Sequence, residues 1–245
     1  MSLENRVTLN NITESVSNLD SNFIPNGTTF HIEEDGSGDF NTLEEAIAYL
    51  QGKYSDGIVN IKYGEGTFDI NNRIIINLGA FNIPKLYISG VSKDKTFVNV
   101  NCKVDFGAFI EVHCSGIVVS DISFKQKDGD RTTQYRGIVA WGGGSVRIGD
   151  CYFEGFTCTG AFVGSTAIFT GTVQFKNCNS AIMSSGNSIV STEWNTSIEA
   201  NNVAILFHSE FNSRICMYGS ISPVTTNVST KRLALDISSI YYTGM

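Results

Sequence analysis

The sequence predicts an all-β protein wound as a single-stranded right-handed parallel β-helix, with a short capping α-helix near its N-terminus. Three observations carry this expectation. Four segments, 117–124, 146–153, 173–180 and 198–205, share one template: apolar, any, apolar, any, Asp or Asn, small apolar, any, usually Phe. Their acidic or amide positions are Asp121, Asp150, Asn177 and Asn202, at steps of 29, 27 and 25 residues, the mark of one supersecondary unit stacked on copies of itself. Further short strand-like runs lie between the templates, at 137–141, 161–164, 167–170, 181–184, 188–192 and 215–218. Two or three strands per turn of about 25 residues is the period of a β-solenoid.

Taken in chain order, residues 1–28 are polar. Leu9, Ile12, Val16, Leu19 and Phe23 recur there at alternating spacings of three and four, the seam of a short coiled coil. The segment reads as a polar leader or as such a stalk, and a stalk feeding a β-helix points to a threefold fibre. Residues 29–57 form an opening segment. Its turn Asp35-Gly36-Ser37-Gly38-Asp39-Phe40 leads to the capping box Thr42-Leu43-Glu44-Glu45, and Ala46, Ile47 and Leu50 follow on one helical face. This helix, over 43–51, is expected to lay its apolar side on the open first coil. The β-helix itself spans 58–225. It starts with the strand 58–63 and the turn 64–68, passes through less regular coils at 85–90, 97–100 and 109–114, and then enters the templates. Residues 226–245 form a C-terminal cap or a truncated end.

Within each template, alternation puts pairs such as Ile117/Val119 and Val146/Ile148 on one face, and the inward phase shifts by one after the Asp or Asn. A phase shift demands a corner, and Asp and Asn tolerate the left-handed backbone a corner uses. Asp121, Asp150, Asn177 and Asn202 are therefore expected as one structural ladder along an edge. Cys151 and Cys178 share the next slot, which predicts that they stack as small buried residues. Ser180 interrupts the Phe position.

The 245 residues are 42% hydrophobic and 17% charged, a globular balance. The net charge of −7, with no basic stripe, argues against nucleic acid as a partner. No apolar run of about 18 residues is present to insert in a membrane. The six cysteines include no C-x-x-C and no histidine at ligand spacing, so neither a metal nor a cofactor is expected.

The stretch from Asp35 to Ile47, with Tyr63-Gly64-Glu65-Gly66-Thr67-Phe68 and Leu86-Tyr87-Ile88-Ser89-Gly90, resembles the opening of pectin methylesterases. The resemblance covers residues 35 to about 125 and implies the pectin-lyase-like β-helix superfamily. The same helix-capped opening is similar to that of bacteriophage tailspikes and tail fibres of this fold. The esterase chemistry that the resemblance implies has no residues to run on. Where the family places its first catalytic aspartate, after the lead Cys151-Tyr152-Phe153-Glu154-Gly155-Phe156, this chain has Cys158, and Gly160 stands at the second acid position. No pectin methylesterase activity is expected.

Other acids are candidates for glycoside cleavage, which needs two carboxylates about 5–10 Å apart. Asp128 and Asp130, on the long polar insertion 126–136, could meet Glu154; the alternative is that all three are solvated loop acids. Lys125, Lys127, Arg131 and Arg136 lie near Asp128 and Asp130 and would supply the base of a lyase. His31, His113 and His208 read as satisfied or exposed. Tyr135, Trp141, Tyr152 and Trp194 sit beside Gly or polar residues, where flat rings stack on sugars; burial in the core or a trimer interface is the other reading. These features point to a phage or prophage tailspike-like protein, made in the bacterial cytoplasm, carried on the virion tail and binding a bacterial surface glycan as a homotrimer. A polysaccharide depolymerase, a secreted protein and a structural spacer of a tail fibre are the alternatives.

Overall fold

Short runs of alternating apolar and polar residues cannot bury an apolar face alone, so each strand here pairs with the equivalent strand one coil below and one coil above. The computed structural model describes residues 21–78, 82–101, 108–127, 136–218, 225–234 and 239–242. Three long sheets result, of nine, seven and seven strands, and the strand pairings within them are parallel. The first sheet runs from Thr28–Ile32 through Ile58–Tyr63, Lys85–Ser89, Ile117–Ser120, Ser145–Gly149, Thr166–Thr170, Ile189–Thr192 and Arg214–Met217 to Ser239–Tyr242. The second contains Gly66–Ile70, Thr96–Val100, Ser123–Gln126, Tyr152–Glu154, Thr172–Lys176, Ser197–Asn201 and Thr225–Thr226. The third contains Ile74–Ile76, Ala108–Val112, Arg136–Trp141, Cys158–Phe162, Ser180–Ser185, Ile205–Ser209 and Thr230–Ala234. The chain is a parallel β-helix.

The inward residues form vertical files. In the first sheet Leu86, Ile117, Val146, Ala167, Val190 and Ile215 stand in register and are buried. In the second sheet Phe124, Phe153 and Phe175 stack face to face at 5.5 Å between successive ring centroids. Phe156 meets Phe153 edge-on at 6.1 Å and lies flat on Phe109 at 5.3 Å. Such pairs add about 0.5–1.5 kcal/mol each beyond area burial.

The helix Leu43–Leu50 buries Leu43, Ala46, Ile47 and Leu50 in the core. Thr42 Oγ1 accepts the Glu45 N–H at 3.1 Å, and Glu45 Oε2 accepts the Asn41 N–H at 2.9 Å, so the capping box closes one residue further out than its usual form. The 1–28 segment lies mostly outside the described residues, but Phe23–Ile24 already pairs with Tyr54–Ser55.

The ladder of four corner residues is corrected by the register. Asp121, Asp150, Asn177 and Asn202 all have positive φ, at 62, 47, 53 and 54°. They form two files, however. Asp121 and Asp150 turn the chain from the first sheet into the second, in a file that begins at Gly90 and ends at Gly171. Asn177 and Asn202 turn it from the second sheet into the third, between Gly155 and Asn227. Template segments 117–124 and 146–153 are thus first-sheet strands with their corner, whereas 173–180 and 198–205 are second-sheet strands with theirs. Coils measured by first-sheet register are 29, 21, 23 and 25 residues long from Ile117 to Ile215. The 27-residue step joined two different corners.

Two other expectations fall with it. Cys151 and Cys178 are both buried as expected, but they follow different corners and do not stack; their thiols lie against the carbonyls of Gly149 and Lys176. Ser180 interrupts nothing, since it opens a third-sheet strand while Phe175 continues the Phe file. In the second corner, Asn202 Nδ2 donates to Asn177 Oδ1 at 2.7 Å, and Asn177 Nδ2 donates to Glu154 Oε1 at 3.1 Å. A further amide pair that the template does not contain, Asn212 Nδ2 to Asn187 Oδ1 at 2.8 Å, closes the turn from the third sheet back to the first.

Candidate functional site

Because the second-sheet strands alternate, the residues between the buried Phe and Val positions make one continuous outer face. Two rows cross it from coil to coil. One is Thr67, Phe97, Ser123, Tyr152, Gln174 and Glu199; the other is Asp69, Asn99, Lys125, Glu154, Lys176 and Asn201. Two adjoining clefts follow these rows. The larger, about 340 Å³, is lined by Thr67, Phe97, Asn99, Ser123, Lys125, Tyr152 and Glu154. The second, about 250 Å³, is lined by Tyr152, Gln174, Lys176, Glu199 and Asn201. Tyr152 is common to both, so they read as one groove parallel to the coil axis.

Glu154 organises the middle of the groove. Its Oε2 accepts the Tyr152 hydroxyl at 3.0 Å and lies 3.9 Å from Lys125 Nζ. Its Oε1 accepts Asn177 Nδ2 at 3.1 Å and lies 3.3 Å from Lys176 Nζ. Burial, the hydrogen bond to Glu154 and the negative charge of that carboxylate push the Tyr152 phenol well above its ordinary range, so it remains a protonated donor. Gln174 Nε2 donates to Glu199 Oε2 at 2.6 Å, and Asn99 Nδ2 to Asp69 Oδ1 at 3.2 Å. Phe97 is 44% exposed and presents a bare ring at one end.

Of the residues singled out in the sequence, Lys125, Tyr152 and Glu154 meet here. Asp128, Asp130 and Tyr135 lie outside the described residues. Trp141 is on the third sheet, stacked on Phe162 at 5.6 Å with the Arg136 guanidinium over both rings. Trp194, 70% exposed, lies beyond the first-sheet strand Ile189–Thr192 and is 6.4 Å from the Tyr218 ring. The three described aromatic candidates, Trp141, Tyr152 and Trp194, therefore lie apart and form no common row. Phe97 and Lys176 belong to the groove and were not singled out. Their signal was alternation: Val98, Val100 and Phe175 face inward, so Phe97 and Lys176 must face out.

Two polar clusters on the third sheet were also missed. Glu111, almost fully buried, accepts the Ala108 N–H at 3.1 Å, lies 3.2 Å from His113 Nε2 and is paired with Arg73. Burial alone would raise the Glu111 carboxyl, but the hydrogen bonds from Arg73, Ala108 and His113 bring it below its ordinary range. Ser180 Oγ lies 3.4 Å from His208 Nδ1, and His208 Nε2 lies 3.5 Å from Glu210 Oε2. Ser180 is buried and neither groove cleft reaches it, so it is not presented to the groove, and His208 Nε2 is left without a hydrogen bond.

Burial pushes the Cys158 thiol up to about 12. A Cβ at Gly160 would strike the Met183 carbonyl, so no acid side chain fits there without a shift of backbone. Of the two positions at which the resemblance would seat esterase acids, one is held by a buried thiol and the other has no room for a side chain.

No family model matches the chain, and no curated protein matches it. Solved structures do. A pectin methylesterase from Aspergillus niger in deglycosylated form is 13% identical over 89% of this chain and 91% of that one, with a TM-score of 0.49. A pectin methylesterase from carrot is 10% identical, covers 89% of each chain and has a TM-score of 0.46. Pectin methylesterase PemA from Erwinia chrysanthemi is 14% identical over 81% of this chain and 68% of that one, with a TM-score of 0.41. The likeness is one of fold. The fold itself stands on the strand pairing described above, and no activity passes across at these identities.

Proposed function

We propose that the protein is a glycan-binding β-helix that holds an extended polysaccharide in the groove of its second sheet, as a tailspike or tail-fibre segment on a phage virion holds a bacterial surface glycan. The observation that carries this reading is the groove around Tyr152. A bare Phe ring, a Tyr ring and a series of amide and carboxylate groups follow one another along the outer face of the second sheet. Sugar rings need that combination: flat apolar contact for their C–H faces, and donors and acceptors for their hydroxyls.

Binding without cleavage is the favoured form. Both Glu154 oxygens are committed to neighbouring groups, Tyr152 and Asn177 by hydrogen bond and Lys125 and Lys176 by charge, an arrangement that suits holding a ligand. Self-association as a homotrimer belongs to the same proposal, and analytical ultracentrifugation showing only monomer at high concentration would remove it.

The test is a bacterial glycan array followed by calorimetry on the responders. Phe97→Ala and Tyr152→Ala should each weaken binding by about 5- to 30-fold, the range for truncating an aromatic anchor. Trp194→Ala, on another face, should leave it unchanged. A blank array, or equal loss from all three variants, refutes the reading. New reducing ends or unsaturated products on incubation would replace it with a depolymerase.

A further inference from the structure

In a chain of net charge −7, the centre of this groove is a local exception. Lys125, Glu154 and Lys176 stand in register on three successive coils. The two lysine side chains are 60% and 44% exposed, whereas that of Glu154, between them, is only 15% exposed. Two outward ammonium groups thus share one inward carboxylate, whose remaining lone pairs go to Tyr152 and Asn177. The triplet carries one uncompensated positive charge, directed at the cleft. Asp69 and Glu199 face the same groove two and one coils away from the lysines, and each is tied to an amide, Asn99 and Gln174 respectively. The potential along the groove therefore runs negative, positive, negative.

From this pattern we infer that the ligand of the groove is an anionic polysaccharide, with one carboxylate, sulfate or phosphate per disaccharide. The inference rests on the glycan-binding reading and adds the charge of the polymer to it. Parallel rungs lie about 4.8 Å apart, which sets Lys125 and Lys176 about 9–10 Å from one another. That is close to the length of an extended disaccharide, so consecutive repeats of one polymer can present an anion to each lysine. In the neighbouring row the Tyr152 ring sits between the two anions, and the Phe97 ring lies one coil beyond Lys125, under the next sugar face. Glu199, one coil beyond Lys176, opposes a polymer charged on every residue, because such a chain would bring an anion against it; Asp69, two coils from Lys125, limits the anionic stretch to the two repeats seated on the lysines.

The experiment compares a linear polymer of alternating uronic acid and N-acetylhexosamine with the same polymer after reduction of its carboxyls to alcohols. Calorimetry on the whole protein should give at least about tenfold tighter binding to the anionic form in low salt, a ratio that shrinks as salt screens the exposed lysines. Lys125→Gln and Lys176→Gln should each cut that ratio by about three- to fivefold, the worth of one exposed ion pair. Both positions are exposed, so the variants are expected to fold, and circular dichroism checks this. Equal affinity for the two polymers, or array responses confined to neutral glycans, overturns the anionic assignment and leaves the glycan reading standing. Failure of both polymers together with a blank array removes both.

Discussion

The two-file arrangement of the corners makes a quantitative prediction at Asp150 and Gly171. Asp150 Oδ1 accepts the Thr172 N–H at 2.8 Å, and the Asp150 carboxylate occupies the space that a Cβ on Gly171 would need. Gly171 has φ 61°, where an L side chain costs about 1–2 kcal/mol. Gly171→Ala should therefore cost that amount plus about 1 kcal/mol for the displaced hydrogen bond, 2–3 kcal/mol in all. The melting temperature should fall by about 4–12 °C. Asp150→Gly removes the same bond but relaxes a left-handed position, for a net loss of about 0.5–1 kcal/mol. In the double variant the carboxylate is already gone, so Gly171→Ala should cost only its backbone share. The cycle should close with a coupling of about 1 kcal/mol, and Asp150→Asn should be nearly neutral. Urea midpoints of the four proteins measure it. Additivity to within about 0.3 kcal/mol would mean that the two residues do not face one another across the rung, and the register deduced for this corner would be wrong.

Three further outcomes are expected. Phe153→Ala, in the middle of the Phe stack and fully buried, should cost about 3–5 kcal/mol in urea denaturation, and a loss under about 1.5 kcal/mol would refute the tight packing of that file. Glu111 has a folded pKa held below its ordinary value, so its stabilising contribution is complete above about pH 4.3 and is lost as pH falls through the lower folded value. Wild type should thus lose stability relative to Glu111→Gln between about pH 5 and 3, and a constant difference across that window would exclude an ionised, paired Glu111. Cys151, Cys158 and Cys178, with thiols pushed up to about 12 by burial, should resist iodoacetamide at pH 8 until the protein is unfolded; rapid native labelling of these three, read by peptide mass spectrometry, would contradict their burial.

The fold was legible because its cause is local. Alternation fixes which side chains of 117–120 or 173–176 face inward, and a left-handed Asp or Asn marks where the phase changes. What alternation does not reveal is which corner a residue occupies. The Asp file ends in Gly171 and the Asn file begins at Gly155, and Gly also marks ordinary turns, so the two files look like one when only Asp and Asn are counted. The groove was partly legible for a related reason. Tyr152 and Glu154 stood out as polar or aromatic residues beside a corner. Alternation with Val98 and Val100 turns Phe97 outward, but only the register seats it beside Ser123, two coils from Tyr152. A residue's partners across coils lie 21–36 positions away in sequence, and variable coil lengths hide them.

Stacking by nearest neighbours also governs how the molecule answers mechanical load. Each rung is fastened to the next by backbone hydrogen bonds that lie along the long axis, as from Ile189 to Ser165 or Ser197 to Gly171. Tension applied along that axis would peel rungs off one after another, each step breaking only a few bonds. Compression or a sideways push is instead borne by all three walls and by the column of rings inside them. An object built in this way is stiff as a strut and weak as a tether.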